Sequence, residues 1–201
     1  MITIVDYGMG NLGSILNMFK RIGVKAVVTT DPEVIRSAEK ILLPGVGAFD
    51  VAMTHINGSG LREILDQKAK VERIPILGIC LGMQLFTRGS EEGELPGLGW
   101  IPGETKRFPG QADLKVPHMG WNMVIPSTPS CLTRNLPAES RFYFVHSYCV
   151  TVDDPKHSIL KTHYGVEFES GLAWENIYGV QFHPEKSHKF GMQLLKNFAG
   201  L

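Results

Sequence analysis

Short apolar runs alternate with segments of helical periodicity through the first eighty residues, and this alternation restricts the fold more than any other feature. The runs lie at residues 2–5, 26–28, 41–43 and 76–79 and consist almost wholly of aliphatic side chains. Strands that are apolar along their whole length are buried on both faces, which is typical of a parallel sheet covered by helices on either side. The sequence therefore predicts an α/β fold, a three-layer sandwich around a mostly parallel central sheet.

Helix signals fill the gaps between these strands. Apolar residues recur at helical spacing from Leu12 to Ile22. Asp31 and Pro32 stand where an N-cap and a first helical turn belong. Residues 61–65 indicate a further helix before the fourth strand.

The second half of the chain has a different pattern, rich in prolines and turns. Strands are predicted at residues 142–145, 158–160, 172–174 and 177–182, and a last helix from about Ser187. They indicate a smaller mixed or antiparallel sheet. Because no repeat, low-complexity tract or long linker divides the chain, we expect residues 1–201 to form a single domain.

Composition excludes several classes of function. Lys plus Arg and Asp plus Glu each number 20, so the formal net charge is zero and no basic surplus indicates nucleic acid or an acidic membrane. No apolar run approaches the length of a membrane span, and the first residues lack the features of a signal peptide. Three cysteines far apart, with no C-x-x-C pair, suggest reduced thiols. We therefore expect a soluble, cytoplasmic protein.

Cys80 stands at the turn that follows the fourth strand, in the sequence Gly-Ile-Cys-Leu-Gly at residues 78–82. This is the cysteine version of the G-x-S-x-G nucleophile elbow, in which flanking glycines relieve crowding between strand and helix. The elbow directs the thiol out of the sheet and places it at a helix N-terminus, which favours the thiolate. The alternative for a lone cysteine is a buried structural role.

His183 and Glu185 supply the base that a nucleophile needs. They occur in Gln-Phe-His-Pro-Glu at residues 181–185, where an apolar strand is expected to end at His183. A carboxylate on one ring nitrogen fixes the tautomer and leaves the other nitrogen to take a thiol proton. The alternative is an ordinary loop histidine beside an acidic residue.

The segment Pro-Gly-Val-Gly at residues 44–47 follows the third strand. Gly45 and Gly47 allow backbone N–H groups to turn toward a ligand, which suits the second donor of an oxyanion hole. An ordinary strand-to-helix turn is the alternative. No metal is predicted, because His118 has no second ligand at a useful spacing. No cofactor is predicted, because Gly8-Met9-Gly10 lacks the third glycine of a dinucleotide fingerprint.

Taken together, these motifs resemble the class I, triad-type glutamine amidotransferases. The three signatures, at residues 44–47, 78–84 and 181–185, occur in the family's order. Within the family, residues 6–12, 117–122, 144–148 and 183–187 look like the HisH-type glutaminase subunits of imidazole glycerol phosphate synthases. The resemblance runs from the first residue to the final helix.

The resemblance implies a flavodoxin-like glutaminase fold and a role for each matching residue. Catalysis is assigned to Cys80, His183 and Glu185, with the N–H groups of Leu81 and Val46 as the oxyanion hole. Glutamine is expected to bind at Gly47, Gln84, Glu92, His146, Ser147 and Tyr148. Asn11, Trp121 and Lys186 are expected to face a partner, a (β/α)₈-barrel cyclase of the HisF type in a heterodimer. That partner would use the ammonia to convert PRFAR to imidazole glycerol phosphate and AICAR, in histidine biosynthesis.

Other interpretations remain open from the sequence. A paralogous glutaminase could feed a barrel synthase of surface-polysaccharide amino-sugar synthesis, with unchanged chemistry at Cys80. A non-catalytic binding module on the same fold would not need all three triad residues. A related cysteine hydrolase is disfavoured by Gln84 and the His-Pro-Glu segment. Trp121, in its glycine-flanked loop, could anchor a partner or pack in the local core.

Overall fold

A computed structural model describes residues 1–109 and 114–201 of the chain. The strands are β1 (Ile2–Val5), β2 (Ala26–Thr29), β3 (Ile41–Leu43), β4 (Ile76–Ile79), β5 (Gly103–Arg107), β6 (His118–Met123), β7 (Ile125–Pro126), β8 (Arg141–His146), β9 (Tyr148–Val152), β10 (Ser158–Tyr164), β11 (Val166–Trp174) and β12 (Ile177–Val180). The α-helices are α1 (Leu12–Arg21), α2 (Pro32–Arg36), α3 (Phe49–Gly58), α4 (Leu61–Asp66), α5 (Leu81–Gln84) and α6 (His188–Ala199).

The central sheet confirms the α/β prediction. Its strand order is β2-β1-β3-β4-β12-β11-β10-β7, and the first five of these strands are mutually parallel. The remaining strands pair antiparallel, with β9 joining β5 to β11. Strands β6 and β8 form a separate two-stranded antiparallel sheet. The smaller antiparallel part predicted for the second half is therefore present.

Helices cover both faces of the parallel strands. On one face, α2, α3 and α4 bury apolar residues, among them Ile35, Phe49 and Ile64, against β3 and β4. On the other face, α1 and α6 do the same with residues such as Phe19 and Phe198. Removing these side chains from water is the main favourable contribution to folding. The result is the three-layer sandwich expected from the apolar strands.

Local details agree with the sequence at some points and correct it at others. Asp31 caps α2 through its side chain and Pro32 occupies the first turn, as predicted. Strand β12 ends at Val180, whereas the sequence predicted a strand running on to His183. The chain turns at Gln181, and the His183 N–H then donates to the Tyr143 carbonyl of β8, at 2.8 Å. Helix α3 was not predicted.

The register of the parallel strands brings their carboxyl ends to one edge. Leu43 of β3 lies opposite Gly78 of β4, and Val180 of β12 lies opposite Ile79. The three motifs that follow these strands are therefore adjacent, although they are far apart in the chain. Ligand sites of parallel sheets lie at this edge.

In the described ranges, every helix is too short or too polar to cross a lipid bilayer.

Candidate active site

Cys80 has the strained backbone of a nucleophile elbow. Its φ and ψ are 55° and −111°, outside the regions that a side chain prefers. Close contacts leave no room for a side chain at either of the flanking glycines. A Cβ added at Gly82 would lie 1.9 Å from the Leu43 carbonyl oxygen, and one at Gly78 would lie 2.6 Å from Gly82. The sequence predicted a thiol directed out of the sheet; Cys80 is only 6 % exposed and lines a cavity.

The helix that follows Cys80 differs from the expectation. Helix α5 spans only four residues, Leu81–Gln84. A single turn aligns few peptide dipoles, so support for the thiolate from a long helix is absent here.

His183 and Glu185 form a buried pair. His183 Nδ1 lies 2.8 Å from Glu185 Oε1, and both side chains are 2 % exposed. The carboxylate accepts the Nδ1 proton, so Nε2 is the nitrogen left for the thiol. Nε2 is buried and has no hydrogen-bond partner within ordinary distance.

The pKa of His183 is raised to about 10. Burial alone lowers this pKa, but the interactions with Cys80 and Glu185 outweigh it. Cys80 therefore affects the pKa of the imidazole, although its sulfur does not form a hydrogen bond with Nε2. Such a ring can hold the proton that the thiol gives up in becoming a thiolate, and can later deliver that proton to a leaving group.

A chain of amides reaches the sulfur from the opposite direction. Gln84 Nε2 donates to the Tyr148 carbonyl at 3.1 Å and to Gln181 Oε1 at 3.0 Å. This orients Gln181 so that its Nε2 donates to Cys80 Sγ at 3.6 Å. An N–H donor directed at sulfur favours the charged form of the thiol. Gln181 belongs to the motif at residues 181–185, but no role was predicted for it; a polar residue after an apolar strand was the available signal.

The loop of residues 44–47 packs closely against the elbow. A Cβ added at Gly45 would lie 2.7 Å from the Tyr7 hydroxyl oxygen and 2.9 Å from the Gly82 nitrogen. Gly47 has a φ of +115°, a conformation that side chains rarely adopt. The Tyr7 hydroxyl donates to the Pro44 carbonyl, and burial raises the pKa of Tyr7 above its ordinary value. Tyr7 is a further residue that sequence analysis missed.

A cavity of about 320 Å³ opens beside Cys80. Every residue expected to bind glutamine or an oxyanion lines it, together with Cys80 and two others. The lining is Val46, Gly47, Cys80, Leu81, Gln84, Glu92, Pro117, Val145, His146, Ser147 and Tyr148. A side chain of glutamine size fits such a volume. Because α5 begins at Leu81, the Leu81 N–H has no acceptor within its own helix.

Besides Gln84, two more of the residues expected to contact glutamine already have protein partners. Glu92 Oε2 accepts the Phe49 N–H at 3.0 Å, which caps α3. His146 Nδ1 lies 2.8 Å from the Tyr148 carbonyl oxygen, and its Nε2 lies 3.0 Å from His118 Nδ1. Both ring nitrogens of His146 are thus occupied.

The three residues expected at a partner interface are exposed. Asn11 caps α1 by accepting the Ser14 N–H at 3.4 Å. Trp121 is 47 % exposed and stacks on His188, with ring centroids 5.5 Å apart, so it is not a core residue. Lys186 Nζ lies 5.3 Å above the Tyr143 ring.

A larger cavity, about 880 Å³, lies at the other end of the sheet. It borders Pro75 and Asn176, which precede β4 and β12, so it is at the amino ends of the strands that carry the motifs. Its size does not make it the reaction site, since none of the triad residues lines it. Among the described residues, no cluster of three or more His, Cys, Asp or Glu side chains could hold a metal ion.

Comparison with known proteins places this geometry in a family. Residues 3–200 match the family described as "Glutamine amidotransferase class-I". The chain is 55 % identical to imidazole glycerol phosphate synthase subunit HisH 2 of Methanococcus maripaludis, over 98 % of each chain. It is 50 % identical to subunit HisH of Bdellovibrio bacteriovorus, over 99 % of each, and to subunit HisH 2 of Pseudomonas aeruginosa, over the whole of each.

Solved structures agree on the fold. A crystal structure of a glutamine amidotransferase superposes with a TM-score of 0.74 over the whole of both chains, at 15 % identity. A glutamine amidotransferase from Thermotoga maritima gives 0.66 at 15 % identity, over 99 % of this chain and 82 % of that one. The fold and the full-length similarity together show that the chain belongs to the class I glutamine amidotransferases and, within them, to the HisH subunits of imidazole glycerol phosphate synthase.

Proposed function

We propose that the chain is the glutaminase subunit of imidazole glycerol phosphate synthase and hydrolyses glutamine to glutamate and ammonia at Cys80. The observation that carries this proposal is the buried His183–Glu185 pair behind Cys80, which itself lines a cavity of about 320 Å³. The pair can take and return protons, and the cavity admits a ligand of glutamine size. We propose that residues 1–201 form a single domain, because the central sheet with its helices and the separate β6–β8 sheet both contribute to the cavity beside Cys80.

In the first half-reaction, the Cys80 thiolate attacks the carboxamide carbon of glutamine. A C–S bond forms, and the negative charge moves to the carboxamide oxygen. The N–H groups of Leu81 and Val46 hold that oxyanion. The C–N bond then breaks, and His183 gives its Nε2 proton to the departing nitrogen, which leaves as ammonia. A γ-glutamyl thioester remains on Cys80.

In the second half-reaction, water hydrolyses the thioester. His183 Nε2 takes a proton from the water as its oxygen attacks the thioester carbon. The C–S bond breaks, glutamate leaves and the thiolate returns. Glu185 keeps the Nδ1 proton in place throughout and stabilises the charged ring. Cys80, His183 and Glu185 therefore act as one unit.

Glutamine is held by the walls of the cavity. We propose that Glu92 faces the α-ammonium group, since its second carboxylate oxygen is left after Oε2 accepts the Phe49 N–H. Gly47, Gln84, Ser147 and Tyr148 are proposed to contact the rest of the substrate. Their place in the cavity lining supports this assignment.

The partner is proposed to be a HisF-type (β/α)₈-barrel cyclase that receives the ammonia and converts PRFAR to imidazole glycerol phosphate and AICAR. An exposed apolar row supports a docking surface: Met119, Trp121, Met123 and Ile125 alternate along β6 and β7 and are 44 to 62 % exposed. Asn11 and Lys186 are the polar residues proposed to lie at the same interface. Exposed rows of this kind mark interaction sites. We also propose the cytoplasm as the site of action, since the cysteines of the described ranges are unpaired.

A second candidate is a paralogous glutaminase that supplies ammonia to a barrel synthase of surface-polysaccharide amino-sugar synthesis. The number 2 in the names of two relatives motivates it. The deciding experiment measures glutamate and ammonia from glutamine by the chain alone and with a HisF-type cyclase, then adds PRFAR and measures imidazole glycerol phosphate. Glutamine hydrolysis without imidazole glycerol phosphate would favour the second candidate, and no hydrolysis under any condition would refute the glutaminase assignment.

A further inference from the structure

Two buried histidines connect β6 to the wall of the glutamine cavity. Asn122 Nδ2 lies 3.2 Å from His118 Nε2, and His118 Nδ1 lies 3.0 Å from His146 Nε2. His146 Nδ1 lies 2.8 Å from the Tyr148 carbonyl oxygen. These contacts form one hydrogen-bond chain, which we call the histidine relay: Asn122, His118, His146 and Tyr148.

The direction of the relay is determined by backbone groups at both ends. Asn122 Oδ1 accepts the Met123 N–H at 2.8 Å, and Asn122 Nδ2 donates to the His163 carbonyl at 2.9 Å. The amide is therefore fixed with its nitrogen toward His118 Nε2, which must accept. At the other end the Tyr148 carbonyl can only accept, so His146 Nδ1 must donate.

Both ends require the same arrangement of protons. His118 carries its proton on Nδ1 and donates it to His146 Nε2, and His146 carries its proton on Nδ1. Each ring then has one donor and one acceptor, as a neutral imidazole does. Burial lowers the pKa of His118 to about 4 and, as the largest of several influences, that of His146 to about 3, so both rings stay neutral near pH 7.

The relay ends on a carbonyl that organises the cavity. The Tyr148 oxygen accepts from His146 Nδ1 and also from Gln84 Nε2. Three of these residues, Gln84, His146 and Tyr148, line the cavity. His146 itself has no ring nitrogen left for a substrate. Its contribution is to hold the segment of the wall that follows β8.

We propose that His118, which lies outside the cavity lining, is a positioning residue for glutamine binding. It donates to His146 Nε2, which fixes the orientation of the His146 ring and, through it, the Tyr148 carbonyl and the cavity wall. This inference rests on the proposed glutaminase function. It adds a residue on the exposed strand β6 to the determinants of substrate affinity.

Two substitutions separate the hydrogen bond from the packing. His118 stacks on Tyr164 and Phe144, with ring centroids 3.9 and 4.7 Å apart. His118→Phe keeps an aromatic ring for these stacks but removes the donor. His118→Asn loses the ring but places an amide N–H where Nδ1–H was. A role in packing alone predicts that Phe is tolerated better than Asn, whereas the relay predicts the opposite order.

The assay measures kcat and KM for glutamine in the full chain with its barrel partner. His118→Phe leaves a buried acceptor on His146 without a donor, so we expect KM to rise about 10-fold, with kcat changed less than about threefold. His118→Asn should keep KM within about threefold of wild type. A wild-type KM in the Phe variant, or a larger KM in Asn than in Phe, overturns the proposal. A wild-type chain with no turnover refutes the glutaminase function instead.

A second test observes the wild-type protein itself and uses variants only to assign its signals. With ¹⁵N-labelled histidine, NMR shifts distinguish the Nδ1–H tautomer from the Nε2–H tautomer. His118 and His146 should both be neutral Nδ1–H tautomers at pH 7, assigned with the single variants His118→Asn and His146→Asn. An Nε2–H tautomer or a charged ring at either position overturns the relay, even if the Phe variant fails to fold.

Discussion

Replacing Glu185 by glutamine tests the charge of the buried pair while preserving its shape. In the wild type, Glu185 Oε1 lies 2.8 Å from His183 Nδ1, with both side chains 2 % exposed. The amide side chain of the variant would keep an oxygen that can accept the Nδ1 proton. Its NH₂ group would then replace Oε2, which is buried and has no partner, so a donor would be left unsatisfied.

The size of the effect follows from these contacts. A hydrogen bond to a charged group is worth about 1.5–3 kcal/mol and a neutral one about 0.5–1.5 kcal/mol. The unsatisfied NH₂ group adds a further cost. We therefore expect the stabilisation of the transition state, in which His183 is charged, to fall by about 2–3 kcal/mol. That corresponds to a fall in kcat of roughly 30- to 150-fold. His183→Asn removes the base itself, so it should lose more, about 10³-fold or above.

The assay measures kcat for glutamate formation by both variants with the partner present, after circular dichroism has shown that each is folded. If Glu185→Gln were more damaging than His183→Asn, or had no effect, the role given to the carboxylate would be wrong.

The same substitution should change how stability depends on pH. Folding raises the pKa of His183 from 6.5 to about 10, so the folded state holds this proton more tightly than the unfolded chain does. The stability that the folded state gains from binding this proton is fully present below about pH 6.5, and it is lost as pH rises through about 10. We expect the wild type to lose more stability between pH 7 and 10 than Glu185→Gln, as measured by urea denaturation. Equal losses would contradict the raised pKa.

Three further predictions concern the nucleophile, its donor and its control. A diazo-ketone analogue of glutamine should label Cys80. Cys149 is buried and its pKa is raised to about 12, and Cys131, though exposed, lies outside the cavity. Peptide mass analysis that finds Cys131 or Cys149 labelled first would refute the assignment. Gln181→Leu removes the N–H directed at Cys80 Sγ and should slow that labelling about 10-fold or more. The control variant Gln67→Leu changes an exposed glutamine and should leave the labelling rate unchanged. Unchanged labelling in Gln181→Leu would exclude the donor role. The isolated chain should hydrolyse glutamine slowly, and the partner should raise kcat far more than it changes KM, because an oxyanion donor such as the Val46 N–H acts only in the transition state. Tyr7→Phe frees the Pro44 carbonyl in the loop of residues 44–47 and should raise the partner-free kcat about 3- to 10-fold. A kcat that is equal for the chain alone and with its partner would exclude control of the oxyanion donor by the partner.

The parallel half of the fold could be predicted because the residues that determine it are close together in the sequence. Each strand there is apolar along its length, and each motif directly follows a strand. The carboxyl ends of parallel strands lie at one edge, so Cys80 and the loop at Gly45 were expected to be neighbours. For this reason Cys80 and the residues expected to bind glutamine or the oxyanion line a single cavity.

What the sequence did not predict depends on contacts between distant segments. His118 was set aside as lacking a second ligand, yet β6 pairs with β8 so that His118 lies opposite His146. The burial of Cys80 results from the wall that β8 adds, where the Val145 carbonyl lies 3.9 Å from the sulfur. Neither pairing leaves a signal in the spacing of residues along the chain.

The position of β12 in the sheet has a consequence for the order of synthesis. This strand inserts between β4 and β11, and the contact that follows it, from Gln181 to Cys80, joins residues 101 apart in the chain. The ribosome therefore synthesises β4 and Cys80 long before it synthesises His183. The thiol of a growing chain has no histidine beside it, so glutamine in the cell is not consumed by unfinished chains. Pairing across such a distance is also slow, because a long loop must close first, and activity should appear only after β12 has paired with β4.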